Sequence, residues 1–170
     1  MSASPITADE LESLLSDLIP IGLDADGATT RLPWTAQDAA ARDWFARRAS
    51  DLGRECLRDP AGNLWAPPAD VASPWWGVGS HLDTVIRGGR YDGALGVATA
   101  FAVAAREPVA VVSFADEEGA RWGTPTFGSR ALAGRLDVAE VLKRTDSAGV
   151  TLGDAMRAAG VDPTAVAIAW

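Results

Sequence analysis

The residues of this sequence best suited to chemistry are its single histidine, His81, and a set of acids that follow two apolar stretches. Asp92 lies in a glycine-rich segment shortly after His81, and the pair Glu117 and Glu118 follows the second apolar stretch. An imidazole nitrogen and carboxylate oxygens are ligands for Zn²⁺ and Mn²⁺. Crowded carboxylates also repel one another, and a divalent cation relieves that repulsion. The residue types therefore predict a metal site.

Each motif taken alone favours a simpler interpretation. A histidine in a glycine-rich loop is usually a hydrogen-bonded or surface residue, an aspartate between glycines usually forms a turn, and an acidic run is usually solvated. The combination favours the metal site, because these residues follow two strands that are expected to lie side by side.

Those strands are predicted from the pattern around the polar motifs. Residues 75–78 indicate a short buried strand that leads into a glycine-rich loop at 79–93, followed by a helix at 94–106. Residues 109–115 are continuously apolar, which is typical of a strand covered on both faces. Strand, helix and strand form a βαβ unit with parallel strands, and ligands gather at the carboxyl ends of such strands. If the chain stays extended, His81 and Asp83 point to the same side, so that Asp83 could orient the imidazole.

The rest of the chain contains recognisable caps and turns. Thr7 and Glu10 predict a capping box at the start of a first helix, in which the Glu10 side chain reaches back to the cap. Thr35 caps a second helix, and residues 59–63 form a turn between strands near 55–58 and 64–66. A surface link covers 67–74, and further helices are expected at 128–133, 138–144 and 152–159, the last capped by Thr151.

Composition narrows the class of protein. The 170 residues are 48% hydrophobic and 22% charged, as in ordinary globular domains. The net charge of −8 argues against nucleic acid or an anionic membrane as a partner. No secretory signal or apolar segment of membrane-spanning length is present, so we expect a cytoplasmic protein.

Two blocks carry a resemblance to a known family. GSHLDTVIRGGRYDGALGV (79–97) and FADEEGARWGTPTFGSRALAG (114–134) resemble the N-terminal signature blocks of the M20 metallopeptidase-like amidohydrolases. Within that family they are most similar to the branch of allantoate amidohydrolases and N-carbamoyl-L-amino-acid hydrolases. The resemblance implies a three-layer αβα catalytic domain with a mostly parallel central sheet, of which residues 1–170 would be the N-terminal portion.

The resemblance also implies roles for individual residues. His81 would bind one metal ion, Asp92 would bridge two ions, and Glu118 would bind the other. Glu117 would be the general base, and Asp83 would support His81. The cofactors would be two divalent ions, either Zn²⁺, Mn²⁺ or Co²⁺, and the substrate would be a small ureido or carbamoyl compound. Residues Gly128, Ser129 and Arg130 match a family feature whose role does not follow from the sequence.

The chain departs from the family pattern in several respects. Members are much longer, and their remaining histidine ligands, lid domain and homodimer interface lie beyond the matching segment. The apolar run at 165–170 suggests an interrupted element. Three alternatives therefore stay open: an inactive remnant or interaction module, an enzyme completed by a separate chain, and an M20 peptidase or deacylase with a different substrate class.

Overall fold

The protein is a mixed α/β domain, described by a computed structural model over residues 4–167. Six α-helices and four strands follow one another along the described chain, which confirms the α/β class. In chain order they are α1 (Ala8–Leu15), α2 (Ala36–Asp51), β1 (Leu57–Arg58), β2 (Leu64–Ala66), β3 (Gly77–His81), α3 (Ala94–Ala104), β4 (Ala110–Phe114), α4 (Phe127–Leu132), α5 (Val138–Val141) and α6 (Leu152–Ala158). A 3₁₀ helix at Pro163–Ala167 follows. The last three residues of the apolar run at 165–170 lie outside the described residues.

The four strands form one sheet in the order β1-β2-β4-β3. β3 and β4 are parallel and are connected by α3, as the βαβ prediction requires. The β1–β2 and β2–β4 pairs are antiparallel. The sheet in the described chain is therefore mixed, and the expected parallel character holds for the pair that carries the polar motifs.

The position of β3 differs from the prediction. The strand was expected at 75–78 but runs from Gly77 to His81, so His81 ends the strand and does not lie in a loop. Trp76 is 85% exposed and takes no part in a buried strand. The reason is the close approach of β3 to β4, since a Cβ on Gly79 would overlap the carbonyl oxygen of Val112. A glycine-rich strand lacks the apolar pattern from which strands are predicted.

The helix caps in the structure are those predicted from the sequence, with one exception. The side chains of Thr7, Thr35 and Thr151 accept hydrogen bonds from main-chain N–H groups three residues later, which confirms all three caps. The Glu10 carboxylate does not complete the capping box. It pairs with both terminal nitrogens of Arg106 at 2.8 Å, because a guanidinium offers two charge-assisted hydrogen bonds.

Two apolar clusters hold the elements in place. The larger packs α1, α2 and α3 against the sheet, and Phe101 contacts the rings of both Trp44 and Phe45 edge to face. The smaller joins α4, α5 and α6 around Phe127 and Met156. Within residues 4–167, no helix has the length and hydropathy needed to cross a membrane. The large cluster fixes α3 on the sheet, and α3 begins two residues after Asp92.

Candidate metal site

His81, Asp92 and Glu118 come together at the carboxyl ends of β3 and β4. Their potential ligand atoms all lie within 4.8 Å of one another. His81 ends β3, Asp92 precedes α3, and Glu118 lies in the turn after β4. The three residues that the sequence singled out as metal ligands are therefore neighbours in the fold.

The imidazole of His81 is held by the main chain of Asp83. His81 Nδ1 lies 2.9 Å from the Asp83 carbonyl oxygen, whereas the Asp83 carboxylate is 3.7 Å away. A carbonyl oxygen only accepts, so Nδ1 carries the proton and donates. In a neutral ring the lone pair is then on Nε2, which lies 3.9 Å from a carboxylate oxygen of Asp92. The contact that residue 83 makes with the ring is therefore through its main-chain carbonyl, whereas the sequence predicted its side chain.

Gly93 allows the helix to begin against this imidazole. Its φ is +66°, and a Cβ there would lie 2.5 Å from His81 Cε1 and 2.6 Å from Nδ1. Only glycine combines that backbone conformation with that approach. The glycine after Asp92 therefore brings the start of α3, and Asp92 with it, beside His81.

The Asp83 carboxylate organises the segment at residues 116–119, which we call the acidic turn. Its two oxygens accept the main-chain N–H groups of Glu117 at 3.2 Å and Glu118 at 3.1 Å. Asp83 is 2% exposed, so these bonds are shielded from water. One residue therefore links His81 through its carbonyl to the tandem glutamates through its carboxylate.

The start of α4 fixes the acidic turn from the other side. The N–H groups of residues 126, 127 and 128 donate to the carbonyl oxygens of residues 117, 116 and 115, at 2.6 to 3.1 Å. The Ser129 hydroxyl lies 3.4 Å from a carboxylate oxygen of Glu117. This geometry gives Gly128 and Ser129 the structural setting that the sequence could not supply. The side chain of Arg130 instead donates to the carbonyl oxygen of Arg135.

Burial and crowding raise the pKa values of the acids in the site. Burial is the largest cause for Glu118, Glu117 and Asp83 alike, and His81 opposes it in each case. For Glu118, the Asp92 carboxylate raises the pKa further. For Asp83, the N–H groups of the two glutamates lower the pKa in part. These acids ionise more readily when a positive charge lies among them.

Asp116 is separate from the cluster, although the sequence placed it beside the two glutamates. Its side chain is fully buried, and within residues 4–167 neither carboxylate oxygen has a hydrogen bond of normal geometry. Burial raises the pKa of Asp116 to about 8, with the charges of Asp83 and Asp38 adding to the rise. Its φ of +49° turns the chain sharply between β4 and the two glutamates.

Asp116 should make the stability of the metal-free protein fall as the pH rises. Its pKa is about 8 in the folded chain and ordinarily 3.8, so the folded state binds more protons between these values. The free energy of unfolding is then lost at about 1.4 kcal/mol per pH unit across that window. We expect Asp116→Asn to equal the original protein near pH 4 and to exceed it in stability at pH 8.

Urea denaturation in the presence of a chelator, repeated from pH 4 to pH 8, measures this difference. The exposed Asp43→Asn serves as the matched control and should leave the pH profile unchanged. Parallel profiles for Asp116→Asn and the original chain would show that Asp116 does not titrate in this way.

The donor set fits a divalent transition metal. One imidazole nitrogen and two carboxylates, from the buried His81, the exposed Asp92 and the half-buried Glu118, suit Zn²⁺, Mn²⁺ or Co²⁺. The raised pKa of Glu118 beside Asp92 supports this fit, since a cation between the two carboxylates would remove their repulsion.

Known proteins are similar to this chain in both sequence and fold. The N-carbamoyl-L-amino acid amidohydrolase of Geobacillus stearothermophilus is 38% identical over 93% of the chain, and the allantoate amidohydrolase of Bacillus subtilis is 33% identical over 84%. A hydantoinase/carbamoylase family amidase from Burkholderia ambifaria superposes on 92% of the chain with a TM-score of 0.83 and 36% identity. The chain belongs to this family of amidohydrolases. Family members hydrolyse C–N bonds.

The family match has a defined extent. The chain spans 41% of the Geobacillus relative, 37% of the Bacillus relative and 41% of the Burkholderia structure. No family model matches the chain. The relatives' names thus describe proteins of which this chain corresponds to less than half.

Proposed function

We propose that this chain supplies the metal-binding portion of a metal-dependent hydrolase that cleaves ureido or carbamoyl C–N bonds. The observation that carries the proposal is the convergence of His81, Asp92 and Glu118 at the ends of two parallel strands, with Glu117 beside them. Membership in an amidohydrolase family supports the reaction class.

The proposed roles follow from where each side chain lies. In the complete site His81 Nε2 would hold one ion, a carboxylate oxygen of Glu118 would hold the other, and Asp92 would be shared between the two ions. When bound, such ions polarise a scissile carbonyl and lower the pKa of water. Glu117 is half-buried and is not one of the three converging ligands, so its carboxylate is free to take a proton from the attacking water and pass it to the leaving nitrogen.

The names of the relatives support a small ureido or carbamoyl substrate. They include N-carbamoyl-L-amino acid amidohydrolases, allantoate amidohydrolases and a ureidoglycolate hydrolase from Arabidopsis thaliana. These compounds share a carbonyl flanked by nitrogen, which is the group that the proposed site would polarise. We propose the same substrate class for this chain. We also propose that the complete site is dinuclear, as in the M20 family, and that the protein is cytoplasmic.

We further propose that residues 1–170 are the N-terminal portion of a larger catalytic domain. In the described chain β3 pairs with β4 alone, so its other edge has unpaired main-chain groups next to His81. Additional strands at this edge would complete a three-layer αβα domain. The segments that follow would bring the remaining metal ligands, and a lid domain would form the homodimer interface. Three ligands leave the coordination of two ions incomplete, so the isolated chain should have little activity.

The test begins with metal binding by the chain itself. Electron paramagnetic resonance with added Mn²⁺ should show weak binding, and His81→Ala or Asp92→Asn should lower the affinity by at least about tenfold. The exposed Asp43→Asn is again the matched control. Binding that neither variant affects would mean that the ion sits elsewhere, and tight binding of two ions would contradict the count of ligands.

The second part tests the reaction. The chain is combined with the remaining part of the Geobacillus relative, and ammonia release from an N-carbamoyl-L-amino acid and from allantoate is measured. Hydrolysis of either compound supports the proposal. A complex that binds metal and hydrolyses only peptides or N-acyl amino acids would overturn the proposed substrate class.

A further inference from the structure

We propose that Asn63 is a positioning residue for the acidic turn, although it lies more than fifty positions earlier in the chain. Its side chain is fully buried at the end of the turn between β1 and β2. Its side-chain oxygen accepts the N–H of Ala115 at 2.8 Å, and Ala115 is the residue directly before the acidic turn. A buried amide with all its partners in place holds its surroundings rigidly.

Asn63 extends the sheet at the point where the main chain can no longer do so. In the β2–β4 ladder Leu64 pairs with Ser113, and β4 ends at Phe114. The next main-chain N–H, that of Ala115, is taken up by the Asn63 side chain instead of by a strand. The acidic turn therefore departs from a fixed point and not from a frayed strand end.

The other contacts of Asn63 tie the same point to α4. Its side-chain nitrogen donates to the carbonyl oxygen of Gly128 at 3.1 Å and to the Asp59 carboxylate at 2.7 Å. A Cβ at residue 128 would lie 2.0 Å from the Asn63 oxygen and within 2.8 Å of the main chain of Ala115. Gly128 is therefore required for this junction, which explains the glycine that opens the Gly-Ser-Arg segment.

Asp59 anchors Asn63 from the side away from the site. Its carboxylate accepts the main-chain N–H of Asn63 at 2.9 Å, the side-chain nitrogen of Asn63 and the indole N–H of Trp65. Asp59 thus shapes the turn without reaching Ala115. It provides a comparison variant, because its replacement weakens the hold on Asn63 while the Asn63 oxygen that accepts from Ala115 remains.

The experiment measures amide hydrogen exchange by NMR in the 170-residue protein and in its variants Asn63→Ala, Asn63→Ser and Asp59→Asn. Loss of Asn63 should accelerate exchange at Ala115 and also at Glu117 and Glu118 by about tenfold or more. The central β4 residues Val111 and Val112 should keep their protection. Asn63→Ser retains a polar group in the turn but is too short to reach Ala115, so it reports the effect even where Asn63→Ala does not fold.

The outcomes separate positioning from general stabilisation. Faster exchange at Ala115 alone would mean that Asn63 does not control the acidic turn. Equal acceleration in the centre of β4, or faster exchange of the acidic turn in Asp59→Asn than in Asn63→Ala, would assign Asn63 a structural role only. Any effect of Asn63 on catalysis rests on the proposed function. The exchange rates are measured without metal or substrate, so they test the role of Asn63 even if the proposed function is wrong.

Discussion

Glu117→Gln should reduce turnover by about 10²- to 10⁴-fold in a form of the protein completed by the remaining part of a relative. Glutamine matches the shape of glutamate but accepts no proton, so the water that attacks the carbonyl would lose its base. The main-chain N–H of Glu117 would still donate to Asp83, which keeps the acidic turn in place. Steady-state ammonia release with a ureido or carbamoyl substrate gives kcat and KM, and the loss is expected in kcat.

Two controls accompany this variant. Mn²⁺ binding should be unchanged in Glu117→Gln, because the converging ligands are His81, Asp92 and Glu118. Glu12→Gln, on the exposed surface of α1, should have no effect on turnover. Turnover in Glu117→Gln close to that of the original protein would remove Glu117 from the role of base, whatever the metal content.

Gly93→Ala should both destabilise the chain and disturb His81. The φ of +66° costs an alanine about 1 to 2 kcal/mol. The new methyl group would also overlap the imidazole and the carbonyl oxygen of His81, and relief of such overlap typically costs a further 1 to 3 kcal/mol or so. We expect a lower free energy of unfolding in urea together with weakened Mn²⁺ binding.

NMR locates the disturbance, since His81 is the single histidine and its ring gives one set of signals. Gly89→Ala is the matched control from the same loop, because a Cβ there meets nothing within 4 Å. It should leave the ring signals, stability and metal binding unchanged. Unshifted His81 signals in Gly93→Ala would show that the start of α3 moves away and that Gly93 does not set the position of the ring.

The βαβ unit could be predicted because apolar patterning determines it. Residues 110–114 are almost entirely buried, and their continuous apolar character identifies them as a central strand. The position of β3 could not be predicted in the same way. Gly79 permits the close approach of β3 to β4, and the neighbouring tryptophans provide a stronger apolar signal although Trp76 is exposed.

The ligand cluster could be predicted for a similar reason. Parallel neighbours place their carboxyl ends at one edge, so His81 and Glu118 had to be close once the strands were assigned. The finer connections depend on backbone directions that sequence spacing does not specify. Asp83 therefore holds His81 through its carbonyl group, Asp116 turns away from its neighbours, and Asn63 reaches the site from a distant turn. The glycines at 93 and 128 are the sequence signals that mark such close contacts.

The link at 67–74, which is exposed from Ala69 onwards, separates the candidate site residues from part of their support. His81, Asp92, Glu117 and Glu118 all follow it, so the candidate ligands and base occupy one continuous stretch of sequence. Support from Asn63 and Asp59 comes from before the link, as do the hydrogen bonds between Arg31 and residues 82 and 84. New termini or an inserted domain at this link would leave the chemical groups on a single uninterrupted segment, which makes it the natural place for circular permutation and for recombination between relatives.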